Sequence, residues 1–257
     1  MPAMDVFCFD FDGVICDSAP ETAVTAWRGC RELWPLPGVD LPVALQERFC
    51  RLRPVLHTGF EAIPLMRLIE RGDHDDVEIL DRFPELRDAL MTQHDLSAER
   101  LQAVFGSIRD RQIEQDADQW LEWNRFYPGM SDLLAHSIAR HPTYVITTKQ
   151  RRFASLLLAH NGVRLPEERI FGLEENRPKP AILESLMRRP EHDGATFHFI
   201  EDRLETLQSV IDAPALTQVR IYLADWGYNT PLQRESATRQ SRIHVVSLAA
   251  FRAEHDL

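Results

Sequence analysis

Lysine is nearly missing from this chain of 257 residues, which carries 27 arginines and only two lysines, Lys149 and Lys179. Arginine presents a broad planar fork, whereas lysine is a compact ammonium suited to sitting beside a carboxylate or a phosphate. A chain that uses arginine almost everywhere else points to a need for an ammonium at these two places. Chance survival explains Lys149 as well, and its place before a helical run reads as a solvated helix start. Long apolar runs are also lacking, which excludes a membrane-spanning helix. Positive charge is short: the formal net charge is −11, and nucleic acid as a partner needs basic stripes that this balance argues against. A small anionic substrate stays compatible, because a local site can oppose the global sign. Cysteine is limited to Cys8, Cys16, Cys30 and Cys50, with no CxxC pair and no histidine at zinc-finger spacing. That usage reads as reduced thiols. With no charged-then-apolar leader before the first strand, the expected compartment is the cytoplasm.

What is present is an ordinary globular composition, 44% hydrophobic and 27% charged, sufficient to bury a core. "DVFCFDF" (5–11) predicts a first strand. The stretch from 19 to 127 then offers helical patterns only, ending in "AERLQAVFGSIRDRQIEQDADQWLEW" (98–123), read as one helix that begins after Ser97. Its Leu101, Val104, Phe105 and Ile108 recur at the three- and four-residue spacing of an amphipathic helix. After "FYPG" (126–129), a turn, strands alternate with helices: "TYVITT" (143–148), "ATFHFIED" (195–202), "QVRIYLA" (218–224) and "RIHVVS" (242–247). Such alternation implies crossover units and a parallel sheet. The expected fold is α/β, a doubly wound, Rossmann-like parallel-sheet core of residues 1–17 and 128–257. An all-α domain, residues 18–127, interrupts it just after the first strand.

In open parallel sheets, ligands bind at the carboxyl ends of the strands. The first strand ends in Asp10-Phe11-Asp12-Gly13, the second in Thr147-Thr148-Lys149, and the third in Glu201-Asp202-Arg203, with Lys179 in "RPKP" before it. Carboxylates, hydroxyls and an ammonium would converge at one mouth. Two carboxylates held as close as Asp10 and Asp12 repel unless a cation lies nearby, and a hard, oxygen-preferring ion such as Mg²⁺ suits them.

These four segments resemble the motifs of the haloacid dehalogenase-like hydrolase superfamily, in order and spacing, across essentially the whole chain. "DFDGV" matches motif one, Thr147 in "VITTK" motif two, Lys179 in "RPKP" motif three and "FIEDRLET" motif four. The resemblance implies a phosphatase in which Asp10 is the nucleophile and forms an aspartyl-phosphate. Asp12 would protonate the leaving oxygen and then activate water, with its backbone carbonyl on the Mg²⁺. Gly13 would leave room for the phosphoryl group. Thr147 and the Thr148 amide would bind a phosphoryl oxygen, and Lys179 would neutralise charge on both nucleophile and phosphate. Asp202 would complete the metal ligands together with Glu201, although motif four departs from the usual pattern: Glu201 replaces the usual Gly and Thr206 the later Asp. Glu205, one position off, is a second candidate acid. The insert would be the cap that closes over the site; it holds 13 Arg against 20 Asp plus Glu between residues 18 and 127.

The expected partner is a small phosphorylated metabolite. A phosphomutase would share every core residue, and a degenerate member serving as a binding protein is the non-enzymatic alternative. A haloacid dehalogenase needs no second aspartate, so Asp12 argues against it. A phosphonate hydrolase needs a cap lysine, and the insert has none. Asp17 and Ser18 are expected to cap the first helix of the insert, "GDHDD" (72–76) to be an exposed turn, and Asp225, Trp226, Tyr228 and Asn229 to form a structural loop.

Overall fold

The computed structural model describes residues 4–36 and 38–257. Eight strands occur among them: β1 (Asp5–Phe9), β2 (Cys16–Asp17), β3 (Arg125–Phe126), β4 (Thr143–Ile146), β5 (Ile170–Phe171), β6 (Thr196–Glu201), β7 (Arg220–Ala224) and β8 (Ile243–Val246). Six form one parallel sheet in the order β5-β4-β1-β6-β7-β8, and β2 and β3 form a separate short pair. The α/β fold with a doubly wound parallel sheet is thus the observed one.

Contacts divide the chain into two units, Met1–Asp17 with Phe126–Leu257, and Ser18–Arg125. The second unit is helical. Its core gathers Ala26, Trp27, Phe49, Ile63, Met66, Ile79, Phe83 and Leu101. The run from 98 to 123 is not one helix but two, Ala98–Gln115 and Ala117–Glu122. Asp116 breaks it with a non-helical backbone (φ −159°, ψ 86°), and its side chain accepts from the Gln119 amide at 3.0 Å. A side chain able to cap therefore ended a helix whose apolar spacing continued through it. Ser97 caps the first of the two. "GDHDD" behaves as a turn: Gly72 ends one helix with a left-handed φ of 71°, and Asp75 caps the next.

In the sheet, the period-two pattern sorts side chains onto two faces. Val6, Cys8, Phe197, Phe199, Ile221 and Leu223 share one core cluster. On the other face Phe7 stacks on His198 with ring centroids 4.7 Å apart, and Phe251 and His255 of the helix Leu248–His255 pack edge-on against Phe7. The sequence patterns did not signal that last helix, nor Pro231–Thr238.

A polar chain runs through this second face. His198 Nε2 lies 2.9 Å from Asp5 Oδ1, its Nδ1 is 3.2 Å from the Tyr222 hydroxyl, and that hydroxyl donates to Glu254 at 3.3 Å. Burial, and then the neighbouring His198, pull the His255 pKa down to about 4 from an ordinary 6.5. The unfolded chain therefore takes up a proton, between pH 6.5 and about 4, that the folded protein refuses. Stability from this group is fully present above pH 6.5 and is lost as the pH falls through that window. Urea midpoints measured across it should decline less steeply in His255→Gln than in the parent protein.

Candidate active site

The sheet register builds the site. Phe9 of β1 is paired with Val145 of β4 on one side and Ile200 of β6 on the other. The Asp10 amide donates to the Ile200 carbonyl at 2.9 Å, so the residue after β1 stands beside the carboxyl ends of both neighbours. Chain order reverses around β1, the kind of switch point where open sheets bind ligands.

Lys179, the first residue of the helix Lys179–Met187, places Nζ 2.7 Å from Asp10 Oδ1 and 2.7 Å from Glu201 Oε2. Burial disfavours its charge, but Asp10 and Glu201 outweigh that and hold the ammonium above the usual lysine range. Burial first, and then repulsion from Asp10, push Glu201 well above the usual carboxyl range, with Lys179 opposing. Asp10, Glu201 and Asp202 are all buried, and one carboxylate oxygen from each lies within 4.8 Å of the others. A cation beside the group would relieve the repulsion between these carboxylates and draw the Glu201 pKa down. Three clustered hard oxygen donors fit a divalent ion of the Mg²⁺ kind.

Asp202 is held by the loop that follows β7. The Tyr228 amide donates to Asp202 Oδ2 at 2.7 Å, and Asn229 Nδ2 donates to the Asp202 carbonyl at 2.9 Å. Gly13, at φ 89°, packs flush against this group: a Cβ there would overlap the Asp202 carboxylate and lie 2.8 Å from the Tyr228 ring. The glycine is required twice, by conformation and by space. Tyr228 and Asn229 of the 225–229 loop thus support Asp202.

Asp12 is separate from the carboxylate group. Its Oδ1 accepts from Lys149 Nζ at 2.9 Å, and its side chain is 18% exposed against 8% for Asp10. Lys149 is no solvated helix start; it is buried, its Nζ lies 5.7 Å from the Phe11 ring centroid, and it is ion-paired with Asp12. Reading Lys149 by its position before a helix hid the signal that its rarity carried. Thr147 is buried and its Oγ1 accepts from the Lys149 amide at 3.0 Å, while Thr148 is exposed beside it. Glu205 lies apart, exposed and bonded to Arg203 and Gln233. Ser18 stands at the N-cap of the helix Ala19–Leu33 but makes no capping hydrogen bond with its side chain, and Asp17 accepts from the Tyr228 hydroxyl at 2.8 Å.

A sequence model of the haloacid dehalogenase-like hydrolases matches residues 4–213. The chain belongs to that family. This hydrolase has no match among curated proteins. Among solved structures it is similar to a haloacid dehalogenase-like family hydrolase from Streptococcus pneumoniae, at 14% identity and a TM-score of 0.57, covering 100% of this chain and 99% of that one. It is similar to a protein described as a predicted phosphatase from Clostridium acetobutylicum, at 14% identity and TM-score 0.58, with both chains covered in full (100% each). A predicted phosphoglycolate phosphatase from Haemophilus somnus matches at 15% identity and TM-score 0.57 over 95% of each chain. At these identities the likeness is one of fold. No helix among the described residues is long and apolar enough to cross a membrane.

Proposed function

We propose that this hydrolase is a Mg²⁺-dependent phosphatase that cleaves a small phosphorylated metabolite through an aspartyl-phosphate. The observation that carries this reading is Lys179 bridging Asp10 and Glu201 inside a buried carboxylate group. The phosphatase names of two similar structures agree with it.

Asp10 Oδ attacks phosphorus as the bond to the leaving oxygen breaks, and Asp12 gives that oxygen a proton. Asp12 then removes a proton from water, whose oxygen attacks phosphorus, releasing phosphate and restoring the Asp10 carboxylate. Asp12 suits this second role because it is the more open of the two aspartates and is anchored by Lys149 rather than by Lys179. Thr147 and the Thr148 amide offer donors to a phosphoryl oxygen, and Lys179 offsets charge on nucleophile and phosphate together. Gly13 keeps the approach to phosphorus clear. Asp10, Asp202, Glu201 and the Asp12 carbonyl are the groups that would hold Mg²⁺, which supplies electrostatic stabilisation of the transferring phosphoryl group.

Hydrolysis of a generic aryl phosphate tests this reading. The rate should fall by at least about 100-fold in chelator and recover on adding Mg²⁺. Complete inactivity with Mg²⁺ across a broad panel of phosphorylated metabolites would favour the binding-protein alternative.

A further inference from the structure

The helical unit contains a cleft of about 690 Å³ whose lining residues all lie between Val24 and Trp123. Trp27 and Ile108 are buried, and the Trp27 indole is fixed by donating from Nε1 to the Val39 carbonyl at 3.2 Å. Three guanidiniums, those of Arg28, Arg31 and Arg111, line the same cleft with two carboxylates, those of Glu32 and Asp40. Arg111 is ion-paired with Glu32, and Arg28 lies 6.0 Å from the centroid of the Trp123 ring. Among the described residues, neither Arg28 nor Arg31 has a carboxylate oxygen within the 4.0 Å of an ion pair. Arg48, Arg71, Arg82, Arg87 and Arg109 of the same unit all have one; among the described residues Arg100 and Arg125 do not, and they lie outside the cleft lining. Burial, followed by the charges of Arg111 and Arg31, lowers the pKa of Arg28, with Asp40 opposing. Arg31 and Arg111 thus add positive charge beside Arg28, which Asp40 offsets in part.

We propose that this cleft binds a small aromatic oxyanion, its ring against Trp123 and its negative group held by Arg28 and Arg31. The volume is that of a small-molecule site. The Trp123 indole provides flat apolar surface, and guanidiniums favour carboxylate or phosphate through paired donors. A polyanion is disfavoured by the net charge of −11, and a cation by the arginines themselves.

The test is titration of the full chain with benzoate and with phenylphosphonate, followed by tryptophan fluorescence and calorimetry, with benzyl alcohol and acetate as controls. At least one aryl anion should saturate with a Kd below about 1 mM, and the tighter of the two identifies the preferred negative group. Neither control should bind. Arg28→Gln, and separately the exposed Arg31→Gln, should each weaken binding by about tenfold, and Trp123→Leu should do so through loss of the ring contact. Absence of saturation by about 10 mM of either anion would overturn the proposal. So would equal binding of benzyl alcohol, or binding that survives both arginine substitutions and is lost in Lys179→Met, which would place the anion at the carboxylate group instead.

Discussion

Asp10→Asn is expected to lower kcat/KM for an aryl phosphate by at least about 10³-fold, the scale of loss when a nucleophile is removed. The amide is nearly the same size and shape as the carboxylate, so packing at the end of β1 is retained. Lys179 keeps its 2.7 Å contact with Glu201, and removing one of three clustered negative charges relieves repulsion rather than adding it. The melting temperature should therefore stay within a few degrees of the parent while turnover disappears. Steady-state kinetics alongside a thermal melt check both halves. Retained turnover in a correctly folded Asp10→Asn protein would remove Asp10 from the chemistry.

The second large effect is on stability, and it lies in the helical unit. Glu21 is fully buried and is gripped from three sides. Arg109 Nε donates to its Oε1 at 2.8 Å, Arg109 Nη2 pairs with its Oε2, and Oε1 also accepts from Thr25 Oγ1 at 2.6 Å and Trp120 Nε1 at 3.1 Å. Arg109 itself lies 4.4 Å from the Phe105 ring centroid. Arg109→Met strips the guanidinium from a carboxylate that water cannot reach, which should cost about 3–5 kcal/mol. Adding Glu21→Leu removes the buried charge as well, and should restore much of the loss. Denaturant unfolding of the parent, single and double variants measures this. A single variant within about 1 kcal/mol of the parent would show that the pair contributes little.

The sheet and the site were legible in the sequence to different depths. Strands β1, β4, β6, β7 and β8 were visible because each is an apolar, β-branched or aromatic run bounded by turn residues. Strand β5 is only two residues long, Ile170–Phe171, at the sheet edge beside β4, and two residues show no periodicity to read. The meeting of Asp10, Lys179, Glu201 and Asp202 follows from strand-end position and was readable. Which acid accompanies Asp202 was not, because Glu201 and Glu205 lie on either side of a helix start. Only the end of β6 decides it, placing Glu201 beside Lys179 and turning Glu205 outward to Arg203. Lys149 was the instructive miss. Local position suggested solvent, whereas the pairing that buries it spans 137 residues of sequence, a distance over which no local pattern carries information.

The measurement that bears most directly on the central claim is mass analysis of protein quenched in acid during turnover of an aryl phosphate with Mg²⁺. Peptide mapping should find a hydroxylamine-sensitive phosphoryl group on Asp10, absent when chelator replaces Mg²⁺. Active enzyme that turns over under these conditions with no phosphoryl group on Asp10, or with the group on another residue, would contradict the account.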